Sequence, residues 1–276
     1  MKDIENSVAQ HYGSGDLLER ILAGLAATGA DMARLGPDDL APVDEFHLGG
    51  RNATAYALSK MTLRADHHVL DVGCGIGGAT RHIAKQVGCK VTGIDLTPEY
   101  IAAAKTLAEM TGQGDRVSYE VASALAMPFD GETFDAAITL HVAMNIRDRA
   151  ALYGEIARVM KPGATLCIYD VMKKGDGALS FPVPWAETPA TSHLTTPEEM
   201  RVLLGDAGFT VHDVDDRTEF AREFFRQTLA AAADGPPPLG VHILLGSNAR
   251  EKIGNTIENL ESGRIAPVQM IARLAE

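Results

Sequence analysis

Residues 69–78 read VLDVGCGIGG. An apolar run that stops abruptly at a set of glycines is the pattern of a buried strand, residues 69–72, breaking into a turn that opens a helix near Ala79. Gly73, Gly75 and Gly77 let the backbone bend tightly, and they let a ligand approach main-chain N–H groups with no Cβ in the way. A small polar ligand on this turn is the expectation.

Two ligands fit the glycines. Gly73, Gly75 and Gly78 satisfy the dinucleotide spacing G-x-G-x-x-G, and Asp95 ends the next strand about 20 residues on. Asp71 separates them, because it stands two residues before the first glycine. A carboxylate there opposes a pyrophosphate, which wants N–H donors and positive charge, and suits an ammonium. S-adenosylmethionine (SAM) carries an ammonium and a sulfonium and no phosphate. An NAD(P)-linked oxidoreductase remains the rival of another class, disfavoured by Asp71, by the Pro162-Gly163 turn and by the lack of a Tyr-x-x-x-Lys pair near the fourth and fifth strands.

The chain has 276 residues, 46% of them hydrophobic, enough to bury one sizeable core. A formal charge of −12 and a pI near 5.2 argue against nucleic-acid or anionic-membrane partners, both of which reward basic patches. Small-molecule chemistry fits better. Cys74, Cys89 and Cys167 share no C-x-x-C spacing and form an odd set, so a reducing cytoplasm is expected. No apolar leader or membrane-length stretch is seen, and the histidines lack H-E-x-x-H or paired metal spacing, so the expectation is a soluble, unexported protein without a metal.

Along the chain, residues 16–35 read as a helix with one apolar face, ended by Gly36-Pro37. Residues 40–50, LAPVDEFHLGG, mix acids, a histidine and paired glycines, and read as a loop crossing the cofactor mouth. A second helix, residues 51–62, leads into the core. Strands at 68–72, 90–95, 117–122, 134–140 and 165–170 then alternate with helices at 79–87, 99–112 and 148–160, the rhythm of a doubly wound parallel sheet. Thr97 and Pro98 read as N-cap and N1 of the second of these helices. In such sheets ligands bind beyond the carboxyl ends of the strands, where Gly73, Asp95, Ser123, His141 and Asp170 fall. A proline-rich loop follows at 173–192, with the only tryptophan, Trp185. Thr196 and Glu199 read as a capping box before a helix to residue 206. Residues 211–217 read as strand 6, 219–233 and 247–263 as helices, and 265–274 as strand 7. The helices between the last two strands serve no purpose in the sheet and look like a lid. The division is then residues 1–62, an N-terminal helical cap and lid loop; 63–218, the core, with its loop at 173–195; 219–263, the inserted lid; and 264–276, the last strand.

DVGCGIGG, GIDLTPE, SALAMPF, FDAAITL and ARVMKPGATLCIYD come in the order and spacing of the class I SAM-dependent methyltransferases, which this chain resembles over residues 69–170. The resemblance implies an α/β, Rossmann-like seven-stranded fold with N-terminal helices and a helical lid between strands 6 and 7. The flanks QHY, DEFHLGG, LHVAMNI, YDVMK and LESGRI resemble the sarcosine/dimethylglycine N-methyltransferase branch, close to the phosphoethanolamine methyltransferases. By position, Gly73 and Gly75 would lie under the methionine part of SAM, Asp71 would face its ammonium, indirectly or through water, and Asp95 would take both ribose hydroxyls. Leu96 would pack on the adenine. Ser123 stands before Ala124 where most relatives place an Asp that accepts from the adenine amino group. Gly49, Ala124 and Leu140 complete the implied cofactor set.

In the phosphoethanolamine enzymes a tyrosine near the N-terminus and a histidine after strand 4 form a catalytic latch. Tyr12 matches the first; the second falls on Asn145, with His141 one helical turn earlier, so the latch is altered. His141 is then read either as base or orienter, or as a residue stacked on the cofactor. Tyr12, His141 and Asn145 are expected to line the acceptor site, and Trp185 to serve as an apolar or cation-π wall or as a loop anchor. An amino-acid acceptor would need an arginine for its carboxylate, with Arg51, Arg147 and Arg264 as candidates. The expected activity is methyl transfer from SAM to a small-molecule acceptor, foremost the amine of sarcosine or dimethylglycine, with a C- or O-methyltransferase and a non-catalytic SAM-binding protein as alternatives. A homo-oligomer is possible.

Overall fold

The computed structural model describes residues 15–233 and 235–276. The glycine-turn stretch folds as its pattern predicts. Strand β1 (His68–Val72) ends at Gly73, and helix α4 (Gly78–Val87) starts behind an N-cap Gly77 with φ 81°. Before it lie α1 (Leu17–Ala27), α2 (Ala41–Asp44) and α3 (Gly50–Ser59). After it come β2 (Lys90–Asp95), α5 (Pro98–Met110), β3 (Val117–Val121), β4 (Phe134–Leu140), α6 (Arg149–Val159) and β5 (Met160–Lys173). The chain finishes with α7 (Pro197–Asp206), β6 (Phe209–Asp216), α8 (Thr218–Ala231), α9 (His242–Leu245), α10 (Ala249–Glu261) and β7 (Ile265–Leu274).

All seven strands form one sheet in the order β3-β2-β1-β4-β5-β7-β6. Their runs are apolar on both faces because both faces are covered. Leu70, Val72, Ala137, Leu166 and Ile168 pack against α6 and α7, while Val69, Ala136, Ile138 and Cys167 pack against α3, α4 and α5. The order reverses between β1 and β4, which opens a crevice at their carboxyl ends.

The sheet is not parallel throughout. β7 runs antiparallel between β5 and β6. β6 ends at the same edge as β1, β4 and β5, the inserted helices stay at that edge, and the chain can only re-enter the sheet running back down. The lid is thereby held over the crevice by topology.

Other boundaries moved for local reasons. α1 stops at Ala27, since Gly29 at φ 80° and the Thr28 hydroxyl, donating 2.6 Å to the Leu25 carbonyl, end it well before Gly36-Pro37. The expected loop at 40–50 contains the turn of helix α2. β5 begins at Met160, with Gly163 (φ 71°) taken up inside the strand and a register irregularity opposite Phe134 and Ala136. Thr97 occupies the N-cap of α5, but its side chain makes no capping bond. The capping box of Thr196 and Glu199 forms in both directions.

The lid and the proline-rich loop are fastened by one face of α10. Asn259 donates to the Ser180 carbonyl and accepts from the Ser180 amide, both at 2.9 Å. Asn255 donates 2.8 Å to the Pro182 carbonyl, Lys252 pairs with Glu187 at 2.7 Å, and Asn248 reaches the same carboxylate at 3.1 Å. The spacing 248, 252, 255, 259 keeps all four on one helical face. Asn259→Ala leaves two half-buried backbone groups without this partner, at a cost of about 1–3 kcal/mol. A thermal melt should show the midpoint falling by several degrees, and an unchanged midpoint would mean that this face does not hold the lid.

Candidate functional site

The crevice is pinned at its base by one carbonyl. Gly73 N–H and Cys74 N–H both donate to the Ile94 oxygen, at 2.8 and 2.9 Å, tying the turn after β1 to the end of β2. Gly73 (φ 74°) has no room for a side chain, because a Cβ would lie 2.4 Å from Val142 at the end of β4. Gly75 (φ 55°) faces open space instead. Its N–H donates 3.0 Å to Asp95 Oδ2, and Thr97 N–H donates 2.9 Å to Oδ1. Both carboxylate oxygens are thus oriented by backbone donors, and each keeps a lone pair for a further donor. Burial raises the Asp95 carboxyl above its ordinary range, so bonds from a ligand's hydroxyls would favour its charged form.

Asp71 is buried and accepts from the Thr80 hydroxyl at 2.6 Å, linking β1 to α4. Burial pushes it up to about 7. On the same cavity wall, Asp44 takes a guanidinium bond from the fully buried Arg81, yet its other oxygen has no hydrogen-bond partner, and burial pushes it also to about 7. Glu45 is buried too, held by Arg51 and by the Thr54 hydroxyl at 2.7 Å. Asp44 and Glu45 thus meet the two guanidiniums, while Asp71 faces the charges of Glu45 and Asp95 with no guanidinium against it, an arrangement that favours a cation.

His141 closes the opposite side. It adopts φ 56°, held by its backbone N–H donating 2.7 Å to the Tyr169 carbonyl. Its Nδ1 lies 3.2 Å from the same carbonyl, and Leu48 N–H donates 3.3 Å to Nε2. A carbonyl only accepts and an amide only donates, so the ring is the neutral Nδ1–H tautomer with both nitrogens engaged. Tyr169 donates 2.9 Å to the Leu48 carbonyl, so the Leu48 backbone is held on both sides. Burial, with His47 alongside, pushes the imidazole down to about 3. The expectation of His141 as a base is therefore corrected: neither nitrogen is placed to take a proton from an acceptor.

Gly49, Ser123, Ala124, Leu96 and Leu140 line the same cavity, of about 840 Å³, as do Asn145 and Trp185. Gly49 (φ 92°) is required by packing, since a Cβ would lie 2.1 Å from Phe220. The Ser123 hydroxyl accepts 3.1 Å from Leu125 N–H. Asn145 donates 3.0 Å to the Trp185 carbonyl, and the indole N–H donates 3.0 Å to Ser192 Oγ. Trp185 is thus both cavity wall and loop anchor.

Two arginines do not serve as expected. Arg51 lines the cavity, but its donors go to Glu45, to Asp38 at 3.1 Å, to His82 Nδ1 at 2.9 Å and to the Pro37 carbonyl at 3.3 Å. Arg264 lies outside the cavity, against Ser180 and Glu258. Arg147 lines the rim. Tyr12 falls outside the described residues. Sequence reasoning missed the lid side chains Phe224, Phe225 and Leu229; the helical stripe in TEFAREFFRQTLAA was the available signal. Among the described residues, no helix is long and apolar enough to cross a membrane and no cluster of His, Cys, Asp or Glu could hold a metal.

Residues 70–168, from β1 into β5, match the family model for a methyltransferase domain. These residues form a class I SAM-dependent methyltransferase domain. SAM is the cofactor of this domain, and the acid-rich turn with its oriented Asp95 fits it. The chain is 32% identical over 165 residues to the O-methyltransferase resE of Aspergillus sclerotiorum, covering 57% of this chain and 60% of that one. Other relatives are named as N-methyltransferases and sterol C-methyltransferases, so the methyltransferase domain does not fix the accepting atom. Two solved structures are similar in fold over nearly the whole chain. The [4+2]-cyclase SpnF has TM-score 0.70 at 22% identity, covering 98% of this chain and 97% of its own. Geranyl diphosphate C-methyltransferase of Streptomyces coelicolor A3(2) has TM-score 0.71 at 18% identity, covering 99% and 98%. A cyclase among them means that the fold alone does not set the reaction.

Nitrogen-detected NMR of the His141 ring checks its assignment. The Nδ1–H tautomer should persist from pH 8 to pH 5, and an imidazolium forming near pH 6.5 would contradict the clamp.

Proposed function

We propose that this protein is a SAM-dependent methyltransferase acting on a small-molecule acceptor bound between the strand ends and the lid. The observation that supports it is continuity: one cavity of about 840 Å³ runs from the glycine turn and Asp95 to the lid helices, a size within the range of about 300–1,000 Å³ usual for small-molecule sites. SAM supplies a methyl group already activated on a sulfonium. The chain's own residues then have two tasks. One is to hold the cofactor: Asp95 for the ribose hydroxyls, Ser123 and Ala124 at the adenine end with Leu96 and Leu140 on its faces, and the turn at Gly73–Gly75 with Asp71 and Gly49 at the methionine end. The other is to hold the acceptor in line and exclude water, which in well-oriented cases supplies about 7–11 kcal/mol of barrier lowering.

Asn145 and Trp185 form the wall nearest the strand ends on the acceptor side. His141 positions the Leu48 backbone, which closes that side. With His141 engaged at both nitrogens and the buried carboxyls gathered at the cofactor end, proton removal is assigned to no described side chain, and an acceptor whose nucleophile is already deprotonated at neutral pH is favoured. Three free, buried cysteines accord with a reducing cytoplasm. The reading of sarcosine or dimethylglycine as acceptor rests on the flanking sequence; it loses support because Arg51 and Arg264 are committed elsewhere. A C- or O-acceptor accords equally well with the relatives.

Asp95→Asn removes the charge from two oriented oxygens and should weaken SAM binding about ten- to hundredfold in calorimetry, from a loss of about 1.5–3 kcal/mol. Equal affinity in wild type and variant would remove Asp95 from the site. Asn145→Ala should lower kcat far more than it weakens SAM binding, and equal loss of both would take it off the acceptor side.

Asp44 and Asp71, with folded values near 7 against about 4 unfolded, hold protons in the native state that the unfolded chain has released, so the ligand-free protein loses stability as pH rises from about 4 to 7. A bound cation favours their ionised forms. The rise in Tm caused by SAM should therefore grow from pH 6 to pH 8, and Asp71→Asn should flatten that growth; a pH-independent rise would separate these acids from the cofactor.

A further inference from the structure

We infer that the acceptor is a bulky, predominantly apolar molecule, uncharged along the part that the lid covers; this rests on the methyl-transfer reading and names its substrate class. The evidence is the direction in which α8 points its two faces. Its charges are paired along the helix, Arg222 with Glu219 and Arg226 with Glu223, while Phe224, Phe225, Thr228 and Leu229 line the cavity. An amphipathic helix ordinarily lays its apolar stripe on a core. Here much of that stripe faces the chamber, and Met144, Trp185, Leu245 and Ile253 complete it.

Charge is distributed in the opposite sense. The cavity's acids, Asp44, Glu45, Asp71 and Asp95, are at the cofactor end, and Arg147 and Asp148 sit exposed where α6 begins. None of the described lid residues that line the cavity is Asp, Glu, Lys or Arg. A small zwitterion such as sarcosine would find Arg51 already bound to Glu45, Asp38 and His82 and Arg147 only at the exposed rim, so inside the chamber its carboxylate would be buried without a partner, which is strongly unfavourable. An apolar skeleton meets matching surface along Phe224, Phe225, Leu229, Leu245 and Ile253. At the mouth, Leu229 is 54% exposed next to Ala232 and Pro236, so the apolar track continues to the rim and accepts a molecule longer than the chamber.

The test uses the full-length protein saturated with adenosylhomocysteine, titrated with the fluorescent apolar amine N-phenyl-1-naphthylamine. Fluorescence should rise saturably, 1-naphthol and decanol should displace the probe, and sarcosine and dimethylglycine at millimolar concentration should not. Leu229→Asp and Thr228→Arg, both at exposed positions that do not depend on core packing, should weaken probe binding at least fivefold while adenosylhomocysteine affinity stays within twofold. No saturable binding, or binding indifferent to both substitutions, would overturn the acceptor class. So would methylation of sarcosine or dimethylglycine by a protein that ignores the apolar compounds. Failure to bind adenosylhomocysteine at all would instead sink the methyl-transfer reading, and this inference with it.

Discussion

The carbonyl of Ile94 accepts two amide protons, from Gly73 and Cys74, and the site depends on that shared acceptor. It draws the turn after β1 against the end of β2, so that Gly75 N–H reaches Asp95 and orients its carboxylate. The same bend brings Gly73 so close to β4 that a methyl group would strike Val142. Strand order places β1 between β2 and β4, so one turn sets the geometry of both sides of the crevice. Glycine is demanded here by a left-handed backbone and by close approach together, two constraints that no other residue meets without strain.

Around that turn the protein retains an unfavourable electrostatic arrangement. Asp44 and Asp71 are buried deeply enough to be pushed to about 7, and Arg81, which neutralises one of them, is itself fully buried. Replacing buried ion pairs by apolar residues is often neutral or stabilising, so fold stability is a poor reason for keeping this cluster. A cationic ligand is a better one, because it supplies the charge that the burial removed from solvent. The loop at 44–51 is where this is organised: its acids face α3 and α4, and its Leu48 backbone is gripped from β4 and β5 by His141 and Tyr169.

The lid follows a different logic. Its position comes from topology, since β6 ends at the crevice edge and β7 must start there. Its attachment is polar, through the asparagines of α10 to the proline-rich loop, and its inner surface is apolar. Polar contacts between α10 and the proline-rich loop fix the geometry, leaving the apolar side available to a guest. The same division explains Trp185, whose indole N–H and carbonyl are both bound while its ring remains part of the wall.

Much of this was readable in the chain. β1, β2, β4 and β7 have the expected limits to the residue, because central strands buried on both faces leave long apolar runs bounded by turns. The cofactor end was readable too, because a turn that needs glycines and an acid at the end of the next strand are local in sequence. The reversed direction of β7, the early end of α1, and the use of Arg51, Arg264 and His141 were not. A histidine after a strand has the same letters whether its nitrogens are free or held, and its partners Leu48 and Tyr169 stand 93 and 28 residues away. An arginine is equally silent about which carboxylate reaches it first. The sequence by itself therefore determined the central strands, the turn and the class of cofactor, which rest on neighbours along the chain. Only the tertiary structure decided which side chains remain available to an acceptor, because availability is set by hydrogen bonds and burial between segments that meet only on folding.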